Sequence, residues 1–197
     1  MQFGGRLYFD FVCPYVNRLA RLLGAAERDG VALELDWRPF SLEQVNSQDP
    51  DLRYWEAPER SRSGGIHALA SYEWVRANAT FAEVAYRRAL LFLRHDEEAS
   101  FSDWSTFERA AGMAGVEGEE LVVGLRDRGQ GYEQVGRSFE EARSRGVFGV
   151  PTLVREGRDP LFIKLTPPAL EGDARRHLEI IDHAMEAPGI WELKKPG

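Results

Sequence analysis

Apolar positions change their spacing several times along this chain, and each change predicts an element. Leu7 to Val12 is a short apolar run of strand length with aromatic and β-branched members. From Pro14 to about Arg28 the spacing becomes helical, with Val16, Leu19, Ala20, Leu22, Leu23 and Ala26 on one face. Asp29-Gly30 ends that helix. Val31, Leu33, Leu35 and Trp37 then alternate with smaller or charged residues, the period of a strand. Strand, helix and strand in close succession predict a βαβ unit, its two strands parallel and joined by a right-handed crossover.

Arg38 to Gly65 is polar and carries Pro39, Pro50 and Pro58, with a loop at Ser61-Arg62-Ser63-Gly64-Gly65. So long a connection predicts short helical turns, a lid or mobility. Everything from Ile66 to about Arg145 reads as helix. The clearest piece is Phe81 to His95, where Val84, Ala85, Ala89, Leu91, Phe92 and Leu93 supply the apolar residues. Ser102 is the expected cap of a helix through Ala114, followed by helices over Glu119–Arg128 and Tyr132–Arg145. Strand character returns at Pro151 to Val154, turns at Glu156-Gly157-Arg158-Asp159, and resumes over Leu161 to Leu165. Thr166-Pro167-Pro168 breaks the pattern. A last helix spans about Gly172 to Glu186 with Leu178, Ile181 and Met185 inward, and Ile190 and Trp191 in the tail are docking candidates. The sum is an α/β layer architecture, βαβ plus ββα in a mixed four-stranded sheet, with a large all-helical insertion from one edge. The expected division is 1–40 with 146–197 as one domain, and 41–145 as the loop and helical insertion.

Composition narrows the partners. The 197 residues suffice for one core with a large insertion, and 43% apolar with 29% charged residues is ordinary for a globular protein. A net charge of -7 argues against nucleic acid and anionic membranes as partners, since both call for a basic footprint. No apolar run reaches the roughly 20 residues of a membrane span, and the first residues lack signal-peptide features. Cytoplasmic residence is the expectation, which one cysteine fits. One cysteine also excludes an intramolecular disulfide, a self-contained dithiol cycle and a cysteine-built zinc site. His67, His95, His177 and His183 show no metal spacing, so no metal site is expected and they read mostly as surface residues.

That cysteine, Cys13, falls where the first strand meets the first helix, followed by Pro14 at the position proline tolerates best. Unsatisfied amides and the positive end of the helix dipole favour a thiolate there. If it exchanges disulfides, its pKa should lie well below the free value of about 8.5. The competing reading is a small buried hydrophobe. Far along the chain, Gly146-Val147-Phe148-Gly149-Val150-Pro151-Thr152 heads a strand. Its proline can be cis, presenting the Val150 backbone to an extended ligand, or a plain trans residue at a strand start. Asp10 would raise the thiol pKa if buried, or be a solvated strand-end acid. Tyr15 and Asn17 lie on the first helical turn and are candidates to line a cleft. Trp37, Phe40, Tyr54, Trp55 and Trp74 suit either a pocket wall or a core.

The Cys13-Pro14-Tyr15 start, the helical insertion and Gly149-Val150-Pro151-Thr152 before a hairpin resemble the DsbA-type branch of the thioredoxin superfamily. Trp37-Arg38-Pro39-Phe40 and Pro160-Leu161-Phe162-Ile163-Lys164 resemble its FrnE-like members, with kappa-class glutathione transferases and hydroxychromene-carboxylate isomerases nearby. The resemblance spans about residues 6–187 and implies a thioredoxin-like fold. It also implies Cys13 as nucleophile, Pro151 as a facing cis-proline and Val150 as a backbone partner for the thiol substrate. FrnE-like proteins carry a second cysteine where this chain has Val16; the isomerases and kappa transferases have serine where it has Cys13. Three functions follow. One is a thiol-disulfide oxidoreductase or thiol transferase using Cys13 alone, with glutathione or another low-molecular-weight thiol as co-substrate and no covalently bound cofactor. The second is a thiol-cofactor-dependent isomerase or transferase in which Cys13 only donates a hydrogen bond. The third is a catalytically silent binding module. The substrate would be a small-molecule or protein thiol or disulfide, and a homodimer stays open.

Overall fold

The structure is a computed structural model, and it describes residues 1–49, 51–167 and 172–187. Ile190 and Trp191 lie outside the described residues. Strand β1 (Gln2–Phe9) leads into helix α1 (Pro14–Arg28) and strand β2 (Ala32–Pro39), pairing parallel with β2 from Gln2–Ala32 to Phe9–Pro39. Strands β3 (Thr152–Val154) and β4 (Leu161–Phe162) complete a sheet ordered β2-β1-β3-β4, with both later pairings antiparallel. Between β2 and β3 run helices α2 (Leu42–Val45), α3 (Gly64–Asn78), α4 (Glu83–His95), α5 (Trp104–Ala114), α6 (Gly118–Arg126) and α7 (Tyr132–Ser144), with 3₁₀ turns at Glu59–Ser61 and Thr80–Ala82. Helix α8 (Ala174–Glu186) follows β4 and packs on α1. This is the thioredoxin-like βαβ plus ββα sheet with a helical insertion leaving the β2 edge.

Amphipathic spacing decides α1, which buries Val16, Leu19, Leu22, Leu23 and Ala26, and α8, which buries Leu178, Ile181 and Met185. The insertion is tied to the sheet where β2 ends. Ser138 Oγ of α7 donates to the Pro39 carbonyl at 2.7 Å, and Phe139 stacks on Phe40 with ring centroids 4.9 Å apart.

Four expectations need correction. β4 stops at Phe162, short of Leu165, because only Thr152 and Leu153 pair with it. β1 ends at Phe9, not Val12, because Asp10 to Val12 turn and Cys13 N–H donates to the Asp10 carbonyl at 3.1 Å. It also begins at Gln2, ahead of the apolar run, because pairing with β2 rests on backbone hydrogen bonds. In α4, Val84 and Phe92 face outward while Tyr86, Ala89, Leu90, Leu91 and Leu93 are buried. The helix is rotated from the simple apolar reading because Arg87 is buried, its guanidinium carbon 3.8 Å from the Trp37 ring centroid. Finally, α5 is capped by Asp103, whose carboxylate accepts from Ser105 N–H at 3.0 Å, not by Ser102.

Gly131, just before α7, has φ +88°, and a Cβ there would sit 2.2 Å from the Ala70 carbonyl oxygen of α3. Gly157 has φ +68° with open space around it. We expect Gly157→Ala to cost about 1 kcal/mol, the left-handed penalty alone. Gly131→Ala should cost about 3 kcal/mol, because the clash is with backbone that must move. Urea unfolding midpoints of the two variants test this order.

Candidate active site

The join between β1 and α1 holds Cys13 in place. Its backbone is extended (φ -80°, ψ 119°), as an N-cap residue requires, and Pro14 opens the helix. The thiol does not cap the helix; its Sγ crosses the fold and donates to the Val150 carbonyl at 3.4 Å. The Val150–Pro151 bond is cis. Behind it, Thr152 Oγ1 donates to the Gly149 carbonyl at 2.7 Å, and Ile163 N–H donates to the Pro151 carbonyl at 2.9 Å. These bonds anchor the segment that faces the sulfur.

Asp10 holds the other side of the turn. It is buried, and its two carboxylate oxygens accept from Val12 N–H at 3.2 Å and from Leu42 N–H at 2.9 Å. One side chain thus ties the Cys13 loop to the start of α2. His95 of α4 meets the Phe11 carbonyl through Nε2 at 2.8 Å, and a Cβ on Gly65 of α3 would lie 3.5 Å from Val12. Three helices of the insertion therefore touch the loop that carries the thiol.

The electrostatics run against a pre-formed thiolate. Cys13 is only 4% exposed. Burial pushes its thiol up; the amides of Val16 and Tyr15 pull it down, the Asp10 charge adds to the rise, and Arg18 opposes it. The helix N-terminus acts as expected, but desolvation outweighs it, so the depressed pKa read from position alone is corrected. Burial also pushes Asp10 up to about 6, against its two amide donors and with a smaller push from Glu43. Its burial excludes the solvated strand-end reading.

Of the candidate residues, the structure brings together Cys13, Val150 and Pro151. Tyr15 is half-buried, Asn17 is half-buried with its N–H given to the Cys13 carbonyl at 3.2 Å, and Pro14 is exposed. Trp37, Phe40, Trp55 and Trp74 are buried in the core. Trp55 also lines a cavity of about 630 Å³ with Arg53, Arg62, Tyr132 and Arg137, which does not include Cys13. His67 is buried, not a surface residue; its Nδ1 lies 2.6 Å from the Tyr132 hydroxyl, and burial lowers its pKa to about 4. Sequence reasoning missed Arg18 and Lys164, whose cationic groups lie 5.2 and 4.7 Å from the Tyr15 ring centroid. It also missed Phe148, which is 61% exposed beside Phe162. Helical spacing from Tyr15, three residues earlier, could have found Arg18; nothing local marks Lys164. Among the described residues no cluster of three or more His, Cys, Asp or Glu side chains is arranged for a metal, and no helix is long and apolar enough to cross a membrane.

A thiol at a helix start facing a cis-proline, on a four-stranded mixed sheet with a helical insertion, defines a thioredoxin-like protein of DsbA type. Residues 6–170 match the DSBA-like thioredoxin domain, and the chain belongs to that family. Among solved structures, a probable DsbA oxidoreductase from Streptomyces coelicolor is 20% identical with a TM-score of 0.60, covering 98% of this chain and 94% of that one. ScsC of Proteus mirabilis in a compact conformation is 17% identical with a TM-score of 0.57, over 94% and 84% of the two chains. The cytosolic disulfide reductase DsbM of Pseudomonas aeruginosa, solved with GSH, is 14% identical with a TM-score of 0.59, over 93% and 100%. At these identities the likeness is one of fold. Comparison with curated proteins found no significant match.

The raised pKa of Asp10 carries a signed consequence for stability. The folded state holds that proton more tightly than the unfolded chain does. The stabilisation is therefore complete below the unfolded pKa near 3.8 and is lost as pH rises through about 6. Asp10→Asn removes this dependence. Between about pH 3 and pH 7, its unfolding free energy should gain about 3 kcal/mol relative to the parent. Paired chemical-denaturation curves across that range check it; a constant difference would refute the buried-carboxylate account.

Proposed function

We propose that the protein is a monothiol thiol-disulfide oxidoreductase or thiol transferase, with Cys13 as its one nucleophile. The observation that carries this reading is Cys13 at the N-terminus of α1, its sulfur against the Val150 carbonyl beside a cis-proline, in a chain with no other cysteine. The deprotonated sulfur attacks one sulfur of a disulfide substrate. That disulfide breaks, a mixed disulfide forms on Cys13, and the other half leaves as a thiolate. With Val16 where a resolving cysteine would stand, a second, external thiolate attacks the mixed disulfide. It takes the bound half away as a new disulfide and returns Cys13 as a thiolate. Each step exchanges one S–S bond for another, so the balance closes with glutathione or another low-molecular-weight thiol as co-substrate. Within the family, Trp37-Arg38-Pro39-Phe40 and the hairpin sequence support FrnE-type affinity. The lone cysteine supports a reducing, cytoplasmic setting.

The roles of the neighbours follow from their atoms. The amides of Tyr15 and Val16 stabilise the sulfur when it carries charge, at its formation and again as leaving group. The Val150 carbonyl takes the S–H hydrogen bond at rest and must give it up when the thiolate forms. Burial runs against the low pKa expected of a fast exchanger, so it places the reactive range on the alkaline side of an ordinary thiol.

The same observation favours a second reading. A buried, protonated thiol already donating a hydrogen bond suits a cysteine that activates a bound thiol cofactor without exchange, as in an isomerase or transferase of the kappa or hydroxychromene-carboxylate type. The two readings part on covalency. Incubation with oxidised glutathione should give a mixed disulfide by intact mass, faster at pH 9 than at pH 7, reversed by added thiol and absent in Cys13→Ser. No adduct at any pH from 7 to 10, with glutathione binding kept in Cys13→Ser, would transfer the assignment to the second reading.

A further inference from the structure

Tyr15, two residues beyond Cys13, has two cations near its ring. The Arg18 guanidinium carbon is 5.2 Å from its ring centroid and Lys164 Nζ is 4.7 Å from it. Arg18 is held there by a hydrogen bond from Nη1 to the Leu165 carbonyl at 3.0 Å. Neither cation is in an ion pair among the described residues, whereas Arg6, Arg21, Arg38, Arg76, Arg88 and Arg155 each face a carboxylate. In a chain of net charge -7, two uncompensated cations beside the one nucleophile form a local positive field. The hairpin continues the strip. Ile163 points into the core, so Phe162 and Lys164 share the opposite face, and Phe162 meets exposed Phe148 at 5.2 Å between centroids.

We propose that Arg18, Lys164 and Tyr15 form the recognition site for a carboxylate-bearing small disulfide or thiol, making the protein selective for anionic over neutral or cationic substrates. The proposal rests on the exchange reading above and names its substrate class. Complementarity of charge supplies the anion. The seclusion of the sulfur supplies the size: with Cys13 only 4% exposed, a slender disulfide reaches it more readily than one embedded in a folded protein. Tyr15, which both cations meet, provides an apolar surface for the ligand's methylene groups. The carboxylate binds as an anion and leaves unchanged, while the bonds broken and made are the S–S bonds already described.

Three symmetrical disulfides with different charges test this: oxidised glutathione, 2-hydroxyethyl disulfide and cystamine. Adduct formation on Cys13, followed by intact mass at low ionic strength, should be about tenfold or more faster with oxidised glutathione than with cystamine, after correction for their rates with a free thiol. High salt should erase the difference. Arg18→Gln with Lys164→Gln should remove the preference, read as the rate with oxidised glutathione divided by the rate with 2-hydroxyethyl disulfide, so that the loss of Arg18's pull on the thiol cancels. Lys164→Glu, at an exposed position, should shift the preference toward cystamine and controls for misfolding. A charge preference that these variants leave intact, or none in the parent, overturns the proposal. If no disulfide forms an adduct, the exchange reading has failed by itself. Calorimetric binding of S-methylglutathione, which cannot exchange, then decides the recognition site: binding weakened at least fivefold in the double variant upholds it, and unchanged or absent binding overturns it.

Discussion

The buried carboxylate of Asp10 is the constraint on which the site is built. It fills both of its oxygens with backbone amides, Val12 from the turn after β1 and Leu42 from the start of α2. The end of β1, the start of α1 and, from far along the chain, the departure of a large insertion all meet at this carboxylate. The carboxylate makes those events one structural unit. Its cost is electrostatic. Two acids share a dry pocket, and ionising both is unfavourable, so the charge on Asp10 works against the charge on Cys13. The thiol consequently rests as a donor to Val150. Stability of the turn and acidity of the sulfur are set against each other by the same side chain.

Val16 marks the second constraint. It is fully buried on the core face of α1, and its side chain belongs to the packing that seats the helix on the sheet. Its amide still bears on the Cys13 sulfur, as does that of Tyr15. The backbone half of a helix-terminal thiolate site is therefore kept, while the side chain that could resolve a mixed disulfide is replaced by a hydrocarbon. On the exchange reading proposed above, this separation is what would make the chain depend on an outside thiol.

How far these features can be read without coordinates depends on the range of the forces behind them. The βαβ and ββα units are legible because periodicity is local: α1 and α8 bury the residues their spacing selects. The Cys13 and Val150-Pro151 pairing is legible through motif, with geometry supplied by the fold. Three things are not. The limits of β1 depend on hydrogen bonds to β2, which hydrophobic pattern does not encode. The inward face of α4 depends on Arg87 finding Trp37 across the structure. The burial of His67 and Asp10, and with it the direction of the Cys13 shift, depends on what other elements bring over them. Proximity to a helix terminus can be counted along a chain; desolvation cannot.

The helical insertion thus shapes the surroundings of Cys13 as well as being an appendage to the sheet. Leu42 supplies one of the amides on Asp10, His95 of α4 holds the Phe11 carbonyl, and Gly65 of α3 allows close approach to Val12. The opposing wall, from Phe148 through Lys164, comes entirely from the ββα end. One side of Cys13 carries the buried Asp10, the other the cations Arg18 and Lys164 and the exposed Phe148. The thiol between them rests protonated, its hydrogen bond given to the Val150 carbonyl. On the recognition proposed above, an anionic partner would pair with Arg18 and Lys164, which meet no carboxylate among the described residues, and would bring its sulfur to the thiol on which the Tyr15 and Val16 amides bear.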